Sequence, residues 1–537
     1  MEGRPLTPRR AFVDRVPLLA FVVLCAGLLA LFLAYPTYPN YDSYYGLLWA
    51  REIWDGHMPV FDAFRAPTEH PLSILFGLVL VPFGDGVDRV VVFCSMASVA
   101  ALAAGMYQLA KVAFNRWIGL VAGLLLVANW DLIYLAVRGY LDVTYMALVV
   151  WAAVLEARRR RRGWPVLLLL TLAGTLRPEA WVLCGLYGLW MAWDGAGTWR
   201  AGVRRVLTPR GIGWLALGCV ATALWLATDF AVTGNPLFSQ TYTSGLAEEL
   251  GRSRGPLQIP SLTISYLRGI DGIPLFWAGM AGLVAAAVIL PRRMGMPFIL
   301  FALGIGTFFL LGVGGFSVID RYLLVPAALL LIFAAFLLVG WTLLPAGRLR
   351  TWWSRLAILG AVGVAAVTLT NIRFGSIAND LTFRGVAHDD LEQVLHDRDV
   401  QAALKCGPLW TPNHKLVPDS RWVLDAPVDK VLARSMLRPA LVQTDEKAAG
   451  YDSPDRAAAR ALGIDVGRPA QESKGTAAVP NPTPTIPRGA FIAPTSRLAL
   501  LRQGYVFPGQ DQAFDSIPPL GWTRLATSTH YAVYGRC

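Results

Sequence analysis

The chain has 537 residues, of which 55% are hydrophobic and only 16% are charged, and its formal net charge is +12. A mean hydropathy of +0.48 is too high for a soluble globular chain of this size. Several apolar runs approach the roughly 20 residues that span a bilayer, so the sequence predicts a polytopic membrane protein. The basic residues fall in short clusters between these runs. This is the positive-inside pattern, and it argues against nucleic acid as the partner of the positive charge.

About 11 apolar segments are predicted to be transmembrane helices. Basic residues precede the first of them, and its apolar core is longer than that of a cleavable signal peptide, which predicts a retained helix with a cytoplasmic N-terminus. The segments lie at about residues 17–35, 90–113, 117–134, 143–157, 164–176, 180–193, 211–229, 273–290, 296–312, 323–343 and 356–371.

A shorter apolar segment, residues 71–84, decides the orientation of everything that follows it. If this segment crossed the membrane, the five consecutive arginines at 158–162 would lie outside, against the positive-inside rule. We therefore predict that it is partly inserted from the outer side without crossing. The protein is then a multi-pass protein of the inner or plasma membrane, and its C-terminus is extracytoplasmic.

The composition divides the chain into a transmembrane domain, residues 1–372, and a soluble C-terminal domain, residues 373–537. The transmembrane domain has two long outer loops, residues 36–89 and 230–272. In the C-terminal domain, HDDLEQVLHDRDVQAAL predicts an amphipathic helix, HYAVYGR predicts a strand, and the proline-rich VPNPTPTIP predicts a loop. We expect a small α/β domain. Its two cysteines, Cys406 and Cys537, are compatible with a disulfide bond or with two free thiols.

The first long loop is dense in acidic, aromatic and histidine residues. It is much longer than a connection between two helices requires, which indicates a function. Asp42 lies near its start, and Glu69 and His70 lie near its end. More ionisable residues fall at the predicted outer ends of later helices, where charge is costly and points to a functional site. These are Arg138, Asp142, Arg177, Glu179, Asp320, Arg321 and the neighbouring Tyr322.

These residue types suit one kind of chemistry. Carboxylates can hold a hard divalent cation or accept a proton from an attacking hydroxyl group. An arginine beside them can bind two phosphate oxygens at once. Carboxylates and arginines at the surface of a membrane therefore predict a substrate linked to a phospholipid.

The order of these motifs resembles the GT-C class of integral-membrane glycosyltransferases, over about residues 15–345. Asp42 soon after the first helix is typical of that class, and Glu-His-Pro-Leu at 69–72 is similar to the Glu-Lys-Pro-Pro-Leu of bacterial lipid A aminoarabinose transferases. Asp142 resembles the acid of the family's second outer loop. TLRPEAW, TGNPLFS and RYLLVP resemble recurring segments of bacterial GT-C proteins, and they lie at residues 175–181, 233–239 and 321–326.

The resemblance implies a polyprenyl-phosphate sugar donor, an extracytoplasmic acceptor of the cell envelope, and inversion at the anomeric carbon. Asp42 would be the general base or a metal-linked catalytic carboxylate, and Asp142 would be the second catalytic acid. A divalent cation, Mg²⁺ or Mn²⁺, would be held by Asp42, Asp142 and Glu69. Because Ser43 follows Asp42, the pair of adjacent acids that many GT-C enzymes carry in this loop is absent.

The same resemblance implies residues that contact the substrate. His70 stands where the relative has lysine, so the donor phosphate has a weaker contact there, since histidine is mostly neutral at pH 7. Arg177 and Arg321 are expected to replace or supplement that charge. The full set expected to bind the substrate or its phosphate is Glu69, His70, Arg138, Arg177, Arg321 and Tyr322.

Structural explanations and other functions compete with this interpretation. Asp42 could cap a helix, Arg138 and Asp142 could form an i, i+4 ion pair, and Arg177 could be an interfacial anchor paired with Glu179. The alternative function is a transporter or flippase of a lipid-linked saccharide. That class usually shows internal repeats and helices broken near mid-membrane, and the sequence contains no convincing repeat. A third possibility is a non-catalytic assembly protein that acts through its C-terminal domain.

Overall fold

The computed structural model describes residues 8–193, 198–249, 252–371, 374–437, 486–496, 499 and 516–537. These residues are mostly helical, with one small sheet near the C-terminus. The chain divides into two compact units. Unit 1 comprises Met1–Tyr35, Val90–Trp225 and Ser253–Ile377, and unit 2 comprises Pro36–Arg89, Leu226–Arg252 and Ala378–Cys537. Unit 2 therefore combines the first long loop and part of the second with the C-terminal region.

The described residues form twenty α-helices and five strands. The first ten helices are α1 Pro8–Ala34, α2 Tyr41–Trp54, α3 Pro71–Leu80, α4 Val87–Ala113, α5 Arg116–Val127, α6 Trp130–Val137, α7 Leu141–Arg158, α8 Trp164–Gly174, α9 Glu179–Ala192 and α10 Trp199–Val206. The others are α11 Pro209–Thr233, α12 Phe238–Glu249, α13 Ile259–Asp271, α14 Ile273–Ile289, α15 Gly295–Val313, α16 Leu324–Val339, α17 Arg348–Asn371, α18 Phe374–Leu395, α19 Arg398–Leu404 and α20 Val417–Leu424. The strands are β1 Leu409–Thr411, β2 Val431–Ala433, β3 Gly489–Pro494, β4 Thr523–Thr527 and β5 Tyr531–Arg536.

Each of the eleven predicted segments is mostly helical, but residues 117–134 are divided between α5 and α6, and the helices differ in length. Among the described residues, five helices are long and apolar enough to cross a membrane: α1, α4, α11, α15 and the segment Asp320–Leu343 that contains α16. Two further pairs are bent, by 60° between α5 and α6 and by 113° between α13 and α14, and would bring the number to seven if each pair is one span. The prediction of several apolar helices is confirmed. The number of eleven spans, the partial insertion of α3 and the orientation of the termini stay predictions.

The core of unit 1 is organised around α16. Every residue from Leu324 to Phe336 is buried, as expected for a helix that is apolar on all sides. Helices α5, α14 and α15 pack against it. A Cβ atom at Gly282 of α14 would lie 1.9 Å from the carbonyl oxygen of Phe333. Glycine at this position therefore permits the close approach of α14 and α16, as small residues do in membrane helix pairs.

The N-terminus of α2 determines where Asp42 lies. Asn40 is the N-cap residue, and its Oδ1 accepts a hydrogen bond of 3.1 Å from the backbone N–H of Ser43. The alternative prediction that Asp42 is the cap is therefore wrong. Asp42 lies in the first turn of α2, where a carboxylate interacts favourably with the helix dipole.

Within unit 2, a buried ion pair joins α2 to α20, and a second, exposed pair joins α2 to the C-cap residue of α20. Arg421 is 1% exposed, and its Nη2 donates to Oε1 of Glu52 at 2.5 Å. Arg51 forms a second pair with Asp425 at 2.6 Å, and its guanidinium carbon lies 5.1 Å from the centre of the Trp422 ring. The helix that carries Asp42 is therefore fixed to the C-terminal region through its opposite end.

The sheet of unit 2 has the strand order β2-β1-β3-β5-β4. β1 is parallel to β2 and β3, whereas β5 is antiparallel to β3 and β4. The predictions of a small C-terminal sheet and of a strand at HYAVYGR are confirmed by β5. The predicted amphipathic helix is interrupted, because Asp397 caps a new helix by accepting from the N–H of Asp399 at 2.8 Å. Most of the proline-rich segment 479–487 lies outside the described residues.

A disulfide bond joins Cys406 to Cys537, with a Cα–Cα distance of 5.4 Å. Within unit 2 it connects Cys406, two residues after α19, to Cys537, which directly follows β5. Of the two possibilities left open by the sequence, the structure contains the bonded one.

Replacing Arg421 with methionine tests the buried ion pair. The side chain volume is largely kept, but the Glu52 carboxylate loses its partner in a mostly buried position, at a cost of roughly 3–5 kcal/mol. We expect a lower apparent melting temperature in detergent and faster amide hydrogen exchange in α2 and α20. The matched control is Arg524→Met on β4, where the side chain is exposed. A variant at Arg421 that melts and exchanges like the control would contradict the importance of this pair.

Candidate functional site

Four ionic side chains of unit 1 form what we call the ion cluster: Asp142, Arg177, Glu179 and Arg321. Asp142 lies in the first turn of α7, and its residue is 3% exposed. Its Oδ1 forms a close ion pair with Nη2 of Arg177, and its Oδ2 lies 3.5 Å from Nη1 of Arg321. The carboxylate therefore holds two arginines that come from distant parts of the chain.

Arg177 is the most enclosed cation of the ion cluster. It is 9% exposed and also pairs with Oε1 of Glu179, the first residue of α9, at 3.3 Å. Its guanidinium carbon lies 5.3 Å from the centre of the Tyr322 ring and 5.8 Å from that of Tyr145. Two carboxylates and two aromatic rings thus compensate for its burial. The expected pairing of Arg177 with Glu179 is present, but Arg177 is a buried residue and not an exposed interfacial anchor.

Arg138 lies beside the ion cluster. Its guanidinium carbon is 5.4 Å from the centre of the Tyr140 ring, and that of Arg321 is 5.1 Å from the same ring. Arg138 follows the end of α6, whereas Asp142 begins α7, so the two residues do not share a helix and the i, i+4 alternative is wrong. The structure brings five predicted site residues together in unit 1: Arg138, Asp142, Arg177, Arg321 and Tyr322.

The pocket at the ion cluster has a polar end and an apolar wall. Its polar lining comes from the cluster with Tyr145, Thr307 and Tyr322. Its apolar lining comes from α7, α9, α15 and α16 and comprises Met146, Val149, Leu183, Leu300, Leu324, Val325 and Pro326. The two guanidinium groups and two carboxylates that line the polar end cancel in formal charge. Arg138, which shares the Tyr140 ring with Arg321, adds one positive charge beside the pocket. Such a pocket suits a ligand with a single negative charge and an aliphatic chain.

Sequence reasoning did not select Tyr140 and Tyr145 as site residues. Tyr145 stands three residues after Asp142 on α7, and this spacing places two side chains on one face of a helix. The spacing could therefore have identified Tyr145. No local signal marks Tyr140 as the ring shared by Arg138 and Arg321.

The remaining predicted residues, Asp42, Glu69 and His70, lie in unit 2. Glu69 is 1% exposed and forms a close hydrogen bond with the hydroxyl group of Ser239. The same hydroxyl oxygen lies 2.8 Å from Oδ1 of Asp229, and the N–H of Ser239 donates to Oδ2 of Asp229 at 2.9 Å. Ser239 is the last residue of the TGNPLFS segment, which the sequence singled out without a role, and Asp229 lies four residues before that segment. The structure therefore connects this segment to the Glu-His-Pro motif.

The hydrogen bonds fix the protonation of this trio. The Ser239 hydroxyl has one proton, so it can donate to one carboxylate but must accept from the other. Asp229 also accepts the backbone N–H of Ser239. Burial, and after it the hydrogen bond and charge of Asp229, raise the pKa of Glu69 to about 9. Glu69 is therefore the neutral, protonated member.

The ion pairs of Asp142 and the protonation of Glu69 affect whether these side chains can bind the predicted cation. Both oxygens of Asp142 face guanidinium groups, and Glu69 carries a proton, so neither side chain is suited as it stands to bind a metal ion. Among the described residues, no three His, Cys, Asp or Glu side chains converge closely enough to hold one. The assignment of a cation to Asp42, Asp142 and Glu69 stays a prediction that this geometry does not favour.

The trio predicts how stability depends on pH. The folded-state pKa of Glu69 is raised above its unfolded value of roughly 4.3, so its contribution is fully present below that value and is lost as pH rises through the raised pKa. We expect the melting temperature of the wild type to fall between about pH 5 and about pH 9. Glu69→Gln keeps the hydrogen bonds of the neutral acid and should flatten this dependence.

The matched control is Glu69→Ala, which removes the hydrogen bonds together with the titrating group. We expect it to melt below the glutamine variant at every pH. If Glu69→Gln instead melts far below the wild type at pH 6, Glu69 is ionised in the folded protein and the hydrogen-bond assignment is wrong.

Comparison with known proteins shows which solved structures have a similar fold. No family model matches the chain, and no curated protein matches it. Among solved structures, ArnT from Cupriavidus metallidurans bound to undecaprenyl phosphate is 15% identical, with a TM-score of 0.52, covering 96% of this chain and 97% of that one. The archaeal oligosaccharyltransferase AglB from Archaeoglobus fulgidus, in complex with an inhibitory peptide and a dolichol-phosphate, is 11% identical, with a TM-score of 0.50. That match covers 94% of this chain and 72% of the other.

Both solved structures are GT-C glycosyltransferases, and at these identities the likeness concerns the fold. The match extends over most of this chain, including the region beyond residue 345 that the sequence resemblance did not reach. The resemblance drawn from the motifs is confirmed at the level of the fold: the chain has the fold of these two GT-C structures.

Proposed function

We propose that this protein is a membrane glycosyltransferase that moves a sugar from a polyprenyl-phosphate donor to an extracytoplasmic acceptor of the cell envelope, with inversion. The ion cluster carries the proposal, because it combines two guanidinium groups with an apolar wall in one pocket. The fold supports it, since ArnT was solved with undecaprenyl phosphate and AglB with a dolichol-phosphate.

The proposed donor matches the pocket in charge and polarity. A polyprenyl-phosphate sugar is a phosphodiester with one negative charge and a long aliphatic chain. A guanidinium group has five N–H donors, more than the ion pairs of Arg177 with Asp142 and Glu179 use. Arg177 and Arg321 can therefore bind phosphate oxygens while Asp142 keeps both groups in position. Tyr322 and Arg138 would complete the polar end.

The reaction would be a single in-line displacement. A hydroxyl group of the acceptor attacks the anomeric carbon, its proton passes to the general base, and the bond from that carbon to the phosphate oxygen breaks on the opposite face. Asp42 is the proposed base, on the strength of its position in the family motif. The leaving polyprenyl phosphate gains one negative charge, which the arginines stabilise. Asp142 acts by orienting those arginines.

The proposed topology follows the charge pattern of the sequence. Residues 1–372 would be the transmembrane domain with a cytoplasmic N-terminus, and residues 373–537 an extracytoplasmic domain. The disulfide bond between Cys406 and Cys537 supports the second assignment, because such bonds persist in oxidising compartments.

One observation favours the alternative of a transporter for a lipid-linked saccharide. Asp271 is 7% exposed at the 113° bend between α13 and α14, and its carboxyl oxygens have no hydrogen-bond partner among the described residues. Ionisable residues at breaks between membrane helices are typical of transport sites. The experiment below therefore measures translocation as well as transfer.

The test is sugar transfer in proteoliposomes from a panel of radiolabelled polyprenyl-phosphate sugars. We expect Asp142→Asn to lower kcat/KM by about 10²–10³, because both arginines lose the group that orients them. We expect Asp42→Asn to lower it by about 10²–10⁴, as removal of a general base does. The matched control is Asp55→Asn, in the same loop as Asp42 but exposed at the end of α2.

Gel filtration and melting temperature establish that each variant is folded. If Asp142→Asn transfers sugar as fast as the wild type, the ion cluster has no part in the mechanism. Wild-type protein that consumes no donor but moves lipid-linked saccharide across the bilayer would establish the transporter instead.

A further inference from the structure

The five consecutive arginines at residues 158–162 lie at the turn between α7 and α8 in unit 1, and we call them the arginine turn. As a signal for membrane orientation, such a run requires charge but no defined conformation. The turn nevertheless has one, because Arg161 has a φ of 56°, a left-handed conformation that non-glycine residues rarely adopt. Its backbone therefore has a shape that membrane orientation does not require.

The carboxylate of Glu156, near the end of α7, holds this conformation. Glu156 is 5% exposed; its Oε1 accepts from the backbone N–H of Arg161 at 2.7 Å, and its Oε2 accepts from that of Arg162 at 3.3 Å. From α9, the indole of Trp190 donates to Oε1 at 2.8 Å and the hydroxyl group of Tyr187 donates to Oε2 at 2.9 Å. Four donors satisfy this carboxylate, and two of them are backbone groups of the turn.

Helix α10 brings a second set of arginines to the same end of α9. The guanidinium carbon of Arg161 lies 4.7 Å from the centre of the Trp190 ring, and its Nη2 donates to the carbonyl oxygen of Trp193, which directly follows α9. On α10, a Cβ atom at Gly202 would lie 3.2 Å from the carbonyl oxygen of Ala192, the last residue of α9. The arginine turn and α10 therefore contact adjacent residues at one helix end.

This end of α9 carries a large excess of positive charge. The turn and α10 together have eight arginines, and the sequence places two acidic residues with them, Glu156, which is buried, and Asp194, which lies outside the described residues. Several of the arginines are exposed, and within the described ranges their side chains form no ion pair or hydrogen bond; these are Arg159, Arg160, Arg162, Arg200 and Arg204. Guanidinium groups in such a surface favour an anionic partner.

Two exposed tryptophans indicate what kind of anion this surface meets. Trp164 is 60% exposed and begins α8, directly after Gly163, and Trp193 is 63% exposed. The helices beside them are apolar, since α8 has no charged residue and α9 has none after Glu179. Tryptophan is enriched where apolar helices reach the membrane–water interface. The anions at that level of a membrane are the phosphodiester groups of lipids.

We propose that the arginine turn, together with α10, binds the phosphodiester headgroup of an anionic phospholipid. A guanidinium fork can donate two parallel hydrogen bonds to phosphate oxygens, and basic residues clustered at the ends of membrane helices attract anionic lipids. Glu156 is a positioning residue, because it fixes the backbone that carries the arginines. The proposal goes beyond the proposed function and does not rest on it, since neither the ion cluster nor a sugar donor takes part.

The test is a titration of the full chain in detergent with phosphatidylglycerol, followed by native mass spectrometry, with phosphatidylcholine as the reference lipid. We expect the wild type to bind phosphatidylglycerol saturably and at least about tenfold more tightly than phosphatidylcholine. The variant that combines Arg159→Gln, Arg160→Gln and Arg162→Gln should lose most of this preference. Equal affinity for the two lipids in the wild type, or an unchanged preference in the triple variant, would overturn the proposal.

A control variant has the same change in net charge. It combines Arg268→Gln, Arg398→Gln and Arg524→Gln, three exposed arginines elsewhere in the chain, and should keep the preference of the wild type. If the control loses the preference as well, the lipid responds to overall charge and the arginine turn is not its site.

Glu156→Gln separates a built site from general attraction. The substitution removes a negative charge, so general attraction alone would strengthen the binding of phosphatidylglycerol. A glutamine amide cannot accept at both ends, so the turn loses its backbone hydrogen bonds and we expect binding to weaken several-fold. Stronger binding would overturn the site. If this variant does not fold, as judged by its melting temperature, the triple variant still tests the proposal, because its substituted side chains are exposed.

A last arm distinguishes the sources of phosphate. Undecaprenyl phosphate or inorganic phosphate is added at the concentration of the bound phosphatidylglycerol. Displacement by either compound would show that the site takes an isoprenoid phosphate or the free anion, and the assignment to a phospholipid would be wrong. Retention of phosphatidylglycerol in both cases supports the assignment. None of these measurements requires sugar transfer, so the site can fail while the proposed function stands, and the reverse.

Discussion

The burial of Arg177 is the constraint on which the rest of unit 1 depends. Removing a guanidinium group from water costs several kcal/mol unless charges and hydrogen bonds of good geometry replace the solvent. Asp142 and Glu179 supply the charges, and Tyr145 and Tyr322 supply ring faces. These partners lie at the beginning of α7, the beginning of α9 and the turn before α16. The ends of these helices in unit 1 are therefore positioned by their ion pairs and ring contacts with Arg177 as well as by apolar packing.

The same principle operates in unit 2 with different chemistry. There the loop that contains Asp42 is tied down at two points, by the Arg421–Glu52 ion pair at the end of α2 and by the Glu69–Ser239–Asp229 trio at the end of the loop. The first is an ion pair between opposite charges, and the second is a set of hydrogen bonds in which Glu69 is protonated. Because the loop is fixed at two points, and one of them is on the helix that carries Asp42, this carboxylate can keep a defined place, which a general base requires.

The sequence predicted the helices well and their polar partners poorly, for physical reasons. A long apolar run has few alternatives to a buried or membrane helix, so all eleven segments are mostly helical. Charged residues at helix ends stand out because they are costly, which identified Asp142, Arg177 and Arg321. Their pairing could not be derived, because the residues are far apart in the chain and spacing alone favoured Arg138 with Asp142. A turn at Gly139, with φ of 65°, separates those two. Likewise, Asn40 and Asp42 are both good capping residues, and sequence alone does not choose between them.

The ion cluster of unit 1 is proposed to bind the phosphate of a polyprenyl-phosphate donor. Photo-crosslinking tests it most directly, with a polyprenyl phosphate that carries a photoreactive group next to the phosphate, in proteoliposomes, followed by mass spectrometry of the labelled peptides. We expect labels in residues 142–183 and 300–326, suppressed by excess undecaprenyl phosphate. Labels confined to other segments, with this region unmodified, would contradict it.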